Sequence, residues 1–282
     1  MRRTTGVYYT LTTSPPTQKS LLSKSGFVGW GTKVVIIDSG LSDSSIQPVD
    51  SIDFTDTGIA DNYGHGTYVA RIVNFFAKGA KIYIAKVGNE KPEQANVIRA
   101  LKWAMDIGAN LVNISCGFEQ DRPMGGCREE CAVCQAVNFV SNAGIKVIIA
   151  AGNSGKEGIP ISCPGIVKNA ITVGAVEENG LAEYSSKGTS ESGKPNILAP
   201  GKVEIDGRVC RGTSFAAPII TGVLASTLNK YPDIEKTTLK LYNSANDIGL
   251  PIHCQGHGIF DLNRFISEVQ NEEVNDCSKG FN

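Results

Sequence analysis

Charge of one sign is the first thing this sequence of 282 residues lacks: 27 lysines and arginines stand against 28 aspartates and glutamates, a net charge of −1. A balance this even leaves no electrostatic footprint for nucleic acid or an anionic membrane surface. Long apolar runs are missing too. The longest, such as Val147-Ile148-Ile149-Ala150-Ala151, fall far short of the roughly 20 residues that cross a bilayer and fit buried parallel strands instead. Met1-Arg2-Arg3 leads into Thr-, Tyr- and Ser-rich sequence rather than an apolar secretion signal. With Met1 as the natural start, a cytoplasmic protein is favoured and secretion stays open. Internal repeats and low-complexity tracts are absent. Histidine is scarce, with three residues, which confines imidazole chemistry to His65, His253 or His257. Cysteine is the exception: the eight residues fit disulfides outside the cell or reduced thiols inside it.

What is present is an alternation of strand and helix. Apolar runs and helical periodicity predict strands over 33–38, 81–87, 111–115, 146–151 and 170–176, and helices over 66–76, 93–107, 131–143, 213 to about 230, and 234–244. Gly108, Gly144 and Tyr231-Pro232 supply helix stops. The expected fold is α/β, with a mostly parallel, doubly wound sheet in three layers and functional groups at strand ends and helix starts. A chain of this length buries its core as one domain.

Three residues stand out. Asp38 ends the apolar run Val34-Val35-Ile36-Ile37, His65 lies in Gly64-His65-Gly66-Thr67, and Ser214 lies in Gly212-Thr213-Ser214-Phe215-Ala216-Ala217-Pro218. Taken singly, each has a plain structural reading: turn former, helix-start polar residue, helix cap. Taken together, they supply the carboxylate, imidazole and hydroxyl of a nucleophilic triad in the order Asp, His, Ser.

With Ala150-Ala151-Gly152-Asn153 these motifs resemble those of the subtilases, over roughly residues 27–265. The resemblance implies a subtilisin-like serine endopeptidase with Asp38, His65 and Ser214 as triad and Asn153 in the oxyanion hole. It implies peptide or protein as substrate, with Ser115, Cys116 and Gly117 pairing with extended substrate backbone. Ser162 and Cys163 then wall a specificity pocket without a fixed charge at its floor, and Cys210 borders the leaving-group side. The loop 88–92 falls at distal subsites, where Glu90 and Glu93 are solvated carboxylates or a preference for a basic residue.

Departures from the family shape further expectations. The connection after the His65 helix is short and Gln47 stands near the usual place of a calcium-binding aspartate, so neither calcium nor any other metal or cofactor is expected. Asp38 lies too near Met1 for a propeptide. Residues 1–26 read as an extension, 27–268 as the peptidase domain and 269–282 as a polar tail, in a monomer of dedicated processing function. Cys116, Cys163 and Cys210 are expected to surround the cleft, with Arg208 and Arg211 stabilising the Cys210 thiolate.

Two other readings remain. One is a catalytically silent subtilase-fold binding module. The other draws on Cys127-x3-Cys131-x2-Cys134, whose spacing resembles the iron–sulfur cysteines of radical S-adenosylmethionine enzymes. Those positions share a helix face, which buried packing or a disulfide would serve equally. So would a structural zinc with a fourth cysteine such as Cys163.

Overall fold

The computed structural model describes residues 9–10, 22–118, 127–178 and 180–277. Numbered along the chain, the strands are β1 Tyr9–Thr10, β2 Lys33–Asp38, β3 Asp50–Asp53, β4 Lys81–Lys86, β5 Leu111–Ile114, β6 Lys146–Ala150, β7 Ile171–Glu177, β8 Gly180–Leu181, β9 Ile197–Pro200, β10 Lys202–Ile205 and β11 Arg208–Arg211. The helices are α1 His65–Phe76, α2 Gln94–Asp106, α3 Ala132–Asn142, α4 Thr213–Thr227, α5 Ile234–Asn243, α6 Ile252–Gln255 and α7 Leu262–Cys277.

The main sheet runs in the order β3-β4-β2-β5-β6-β7-β8, with β9 also paired to β7. Every pairing in it is parallel except that of β7 with β8. Alternation along β2 explains why its apolar run has no polar break. Val34 and Ile36 pack under α1 and α4 on one face, while Val35 and Ile37 pack under α2 and α3 on the other. The result is the expected three-layer α/β fold.

The predicted elements agree with the structure to within a few residues. Besides the short β8 and α6, four features were not foreseen. The edge strand β3 is polar, β9 runs into Pro200, and β10 and β11 form a hairpin that β1 extends. The hairpin turns on Asp206-Gly207, both at positive φ, the Asp-Gly chemistry of a tight two-residue connection. The fourth is α7, which crosses the expected start of a polar tail at 269. Val269 is fully buried in the core, so packed structure continues beyond 268. At the other end, Leu22 of the expected extension is also a core residue.

Helices α1 and α4 pack closely across the sheet face. A Cβ on Gly222 would stand 2.8 Å from the Phe76 side chain and 3.0 Å from the Val73 carbonyl. Gly222→Ala therefore forces the two helices apart and costs about 1–3 kcal/mol by overpacking. The denaturation midpoint is expected to fall by several degrees in a thermal scan, and an unchanged midpoint would show that the helices absorb a methyl group here.

Candidate active site

Parity along β2 sets the first element of the site. Even-numbered Val34 and Ile36 face α1 and α4, so Asp38, two residues on, reaches the same face at the strand's C-terminal end. Ligand sites of open α/β sheets form at these ends. His65 is the first residue of α1, and its Nδ1 lies 2.7 Å from Asp38 Oδ1. The approach depends on Gly66, where a Cβ would meet the Gly40 carbonyl at 2.5 Å. Burial works against the imidazolium. The Asp38 carboxylate, by charge and hydrogen bond, and Asp61 at longer range outweigh that burial and raise the His65 pKa above its ordinary value.

Asp61 and Ser39 hold this junction and were not singled out from sequence. Asp61 accepts from the backbone N–H groups of Tyr63, Gly64 and Thr67 and from the hydroxyls of Ser39 and Thr67, at 2.7–3.2 Å. It thereby satisfies the open N-terminus of α1. Burial raises the Asp61 pKa, but these hydrogen bonds prevail and hold it below the ordinary value. The Ser39 hydroxyl also contacts Asp38 Oδ1 and accepts from the Gly66 N–H.

Ser214 lies in the first turn of α4, and Pro218 inside that helix decides how it is held. Pro218 has no N–H to give the Ser214 carbonyl four residues earlier. Ser115 fills the gap, its hydroxyl donating to the Ser214 carbonyl at 2.9 Å. Asn113 donates to Ser115 Oγ at 2.9 Å and accepts from Thr221 Oγ1 at 2.9 Å, so a buried polar chain returns to α4 about two turns on from Ser214. Asn153 follows β6. Its Oδ1 accepts from both the N–H and the hydroxyl of Thr213, which leaves its NH2 as the end directed at the cleft.

The cleft beside these groups is lined by Asp38, His65, Gly88, Glu90, Ser115, Cys116, Gly117, Asn153 and Ser214. A contiguous pocket is lined by Ser115, Cys116, Gly117, Ala150, Gly152, Ile159 and Ser162, none of them charged. Of the expected subsite residues, Ser115, Cys116, Gly117 and Ser162 line this pocket. Cys163 does not, because it is buried behind the wall, its carbonyl accepting from the Phe118 N–H. Nor does Cys210, which pairs with Val203 across the β10–β11 hairpin and packs on the core. Burial raises the Cys210 thiol pKa against the opposing charge of Arg208, the reverse of the expected thiolate. Burial, with the charge of Asp38, likewise pushes the Cys116 thiol up.

Glu90 lines the cleft, whereas Glu93 precedes α2. Gln47 is turned to the Ser44 carbonyl, and residues 77–80 alone join α1 to β4. Cys127, Cys131 and Cys134 gather with Cys163.

A parallel sheet between two layers of helices is also the fold of solved proteases. The Subtilase family profile matches residues 29–258, and the chain belongs to that family, as a subtilisin-like serine endopeptidase. It is 30% identical over 251 residues to subtilisin DY of Bacillus licheniformis, covering 79% of this chain and 87% of that protein. A thermostable alkaline protease of Halalkalibacterium halodurans is 28% identical over 263 residues, covering 85% and 68% respectively. Among solved structures, a prenylagaramide maturation protease shares the fold with a TM-score of 0.70 at 24% identity, over 90% of this chain and 99% of that one. An epidermin leader peptide processing serine protease from Staphylococcus aureus does so with a TM-score of 0.70 at 22% identity, over 88% and 78%.

Asp61→Asn places an NH2 group among donors that need an acceptor, at a cost of about 1–3 kcal/mol. Because the folded-state pKa of Asp61 is lowered, the wild-type advantage is complete above the unfolded value of about 4 and fades as pH falls through the folded one. Urea midpoints of the two proteins should differ most at neutral pH and converge in acid. A gap that stays constant down to strongly acidic pH would rule out the ionised carboxylate as its source.

Proposed function

We propose that Ser214, His65 and Asp38 act as the catalytic triad of a peptide-bond hydrolase. The observation that carries this reading is the 2.7 Å contact of Asp38 with His65 at a cleft that Ser214 and Asn153 also line. Ser214 Oγ attacks the scissile carbonyl carbon while His65 Nε2 takes its proton. Asp38 holds the other ring nitrogen, fixing the tautomer and stabilising the imidazolium. The negative charge that develops on the carbonyl oxygen meets the Asn153 amide and the Ser214 N–H, the latter at a helix N-terminus where the dipole favours an anion. His65 then protonates the leaving amine. Water, activated by the same imidazole, hydrolyses the acyl-enzyme and regenerates Ser214.

Substrate backbone lies along Ser115–Gly117 as an added strand, with an uncharged side chain in the pocket bounded by Ile159 and Ser162. A dedicated processing role, cutting a precursor peptide at one place, is supported by fold neighbours described as maturation and leader peptide proteases.

Ser214→Ala and His65→Ala should each lower kcat by about 10⁶, with little further loss in the double variant, because the residues act as one unit. Asn153→Ala should cost about 3–4 kcal/mol of barrier with KM nearly unchanged, since its amide meets charge that exists only in the transition state. A fluorophosphonate probe should label Ser214 in the wild type. Multiplicative losses, or an unlabelled folded enzyme, would favour the silent binding module.

The raised pKa of His65 sets the pH dependence. A general base must be neutral, so the acid limb of kcat/KM is expected above the ordinary imidazole value of about 6.5. In Asp38→Asn the main opposing influence on burial is gone, so the limb moves to lower pH while kcat falls about 10⁴-fold. A limb left in place by this substitution would assign it to another group.

A further inference from the structure

The triad leaves one cluster of reactive groups unused. Cys127, Cys131, Cys134 and Cys163 direct their sulfur atoms to a common point, all within 4.8 Å of one another. They come from two separated parts of the chain. Cys127 and Cys131 lead into α3, Cys131 being the residue that caps it, and Cys134 lies in its first turn. Cys163 comes from the loop behind the specificity pocket. The reading of this triplet as packing residues accounts for none of that convergence.

Geometry discriminates among the chemistries that four thiols support. A tetrahedral ion with metal–sulfur bonds of about 2.3 Å holds its sulfurs about 3.8 Å apart, within the observed separation. An iron–sulfur cubane binds each thiolate to a different iron and spreads the sulfurs more widely. Disulfides require bonded pairs at about 2.05 Å, and they give no reason for all four sulfurs to meet. Both short spacings, Cys127-x3-Cys131 and Cys131-x2-Cys134, fall in the range of structural zinc ligands. Cys134 and Cys163 are buried, with Cys127 and Cys131 half-buried, so the site is closed yet near enough to the surface for an ion to enter.

We propose that Cys127, Cys131, Cys134 and Cys163 bind one structural zinc ion that braces the back of the specificity pocket. This revises the sequence expectation of no metal. Each thiol gives up its proton on coordination, and the four sulfurs complete the shell, leaving no open position for water or substrate. The ion ties the start of α3 to residue 163. From there the brace reaches the cleft in two steps. The Cys163 carbonyl accepts from the Phe118 N–H at 2.7 Å, next to the substrate-pairing segment Ser115–Gly117. Ser162 faces that segment across the pocket, so closely that a Cβ on Gly117 would stand 2.8 Å from Ser162 Oγ. Both walls thus hang from one metal-bound residue. The bracing role rests on the peptide-cleft reading above, whereas the metal assignment stands on the cysteines alone.

The test begins with the whole protein purified under reducing conditions from zinc-replete cells. Elemental analysis and native mass spectrometry should find one zinc per chain, and mercurial titration of the thiols should release it. Cys127→Ser is expected to lose the ion and Cys127→His to retain it, because imidazole is a zinc ligand and serine is not under these conditions. Cys254→Ser, outside the cluster, should keep it. Folded wild type without zinc, with iron in its place, or with these cysteines in disulfides would each overturn the assignment, as would a full zinc complement in Cys127→Ser. Zinc removal should raise KM for a cleaved peptide several-fold, reversibly, and change kcat less than about twofold. Zinc present with KM indifferent to its removal would keep the site and discard the brace, independently of whether the triad reading holds.

Discussion

A helix brings its first side chain within hydrogen-bonding reach of a strand-end carboxylate only if no Cβ stands between the two backbones. Gly66 meets that condition against Gly40, where a methyl group would sit 2.5 Å from a carbonyl oxygen. Gly40 is itself constrained, with φ at 112° and the Ile59 carbonyl 2.3 Å from where its Cβ would be. The two glycines let α1 rest on the turn that follows β2. Everything that makes His65 basic follows from that contact: the short bond to Asp38, the reach of Asp61, and burial too weak to cancel them. Widening the gap by the thickness of a side chain would leave an ordinary histidine at a helix start.

The serine side of the cleft is organised by the opposite device, a missing hydrogen bond rather than a missing side chain. Pro218 deprives the Ser214 carbonyl of its helical partner, and the chain Thr221, Asn113, Ser115 supplies one from inside the fold. Asn113 and Thr221 are fully buried, a costly place for polar groups unless each finds a partner. Here each does. The same side chain that repairs α4, Ser115, begins the segment along which substrate is expected to lie. Ser214 and that segment therefore share one hydrogen bond, which ties their relative position.

Much of this was legible in the sequence. Runs such as Val34-Val35-Ile36-Ile37 announced buried parallel strands because both faces of the sheet are covered. His65, flanked by glycines, and Ser214, two residues after Gly212, announced helix starts. Elements without such a signature went unread. Strand β3 is polar because it lies at an edge, and α7 carries its apolar residues on one face of a stretch dominated by Asn, Glu and Asp. The hairpin had a usable signal in Asp206-Gly207 between alternating residues, which was passed over. Residues acting through others were hidden for a different reason. Asp61 and Asn113 belong to no reactive pattern, Ser39 and Thr213 are only neighbours of Asp38 and Ser214 in theirs, and the roles of all four arise from contacts between separate segments. Cys163 differs, because the sequence offers it both as a pocket wall and as a fourth cysteine beside Cys127, Cys131 and Cys134, and its thiol lies with the cluster.

The strand order has a consequence in time. Strand β2 lies inside the sheet but is made early, whereas α4, which covers it, is made late. A ribosome adding 5–20 residues per second needs roughly 10–35 s to travel from Asp38 to Ser214. From His65 onward the emerging polypeptide carries Asp38 and His65 without Ser214, the hydroxyl that the proposed triad requires. Nor is the oxyanion amide oriented, because Thr213, which holds Asn153, arrives only one residue before the nucleophile. Hydrolytic competence therefore cannot build up by degrees along the nascent chain. On the triad reading it comes only once α4 has been made and has covered β2.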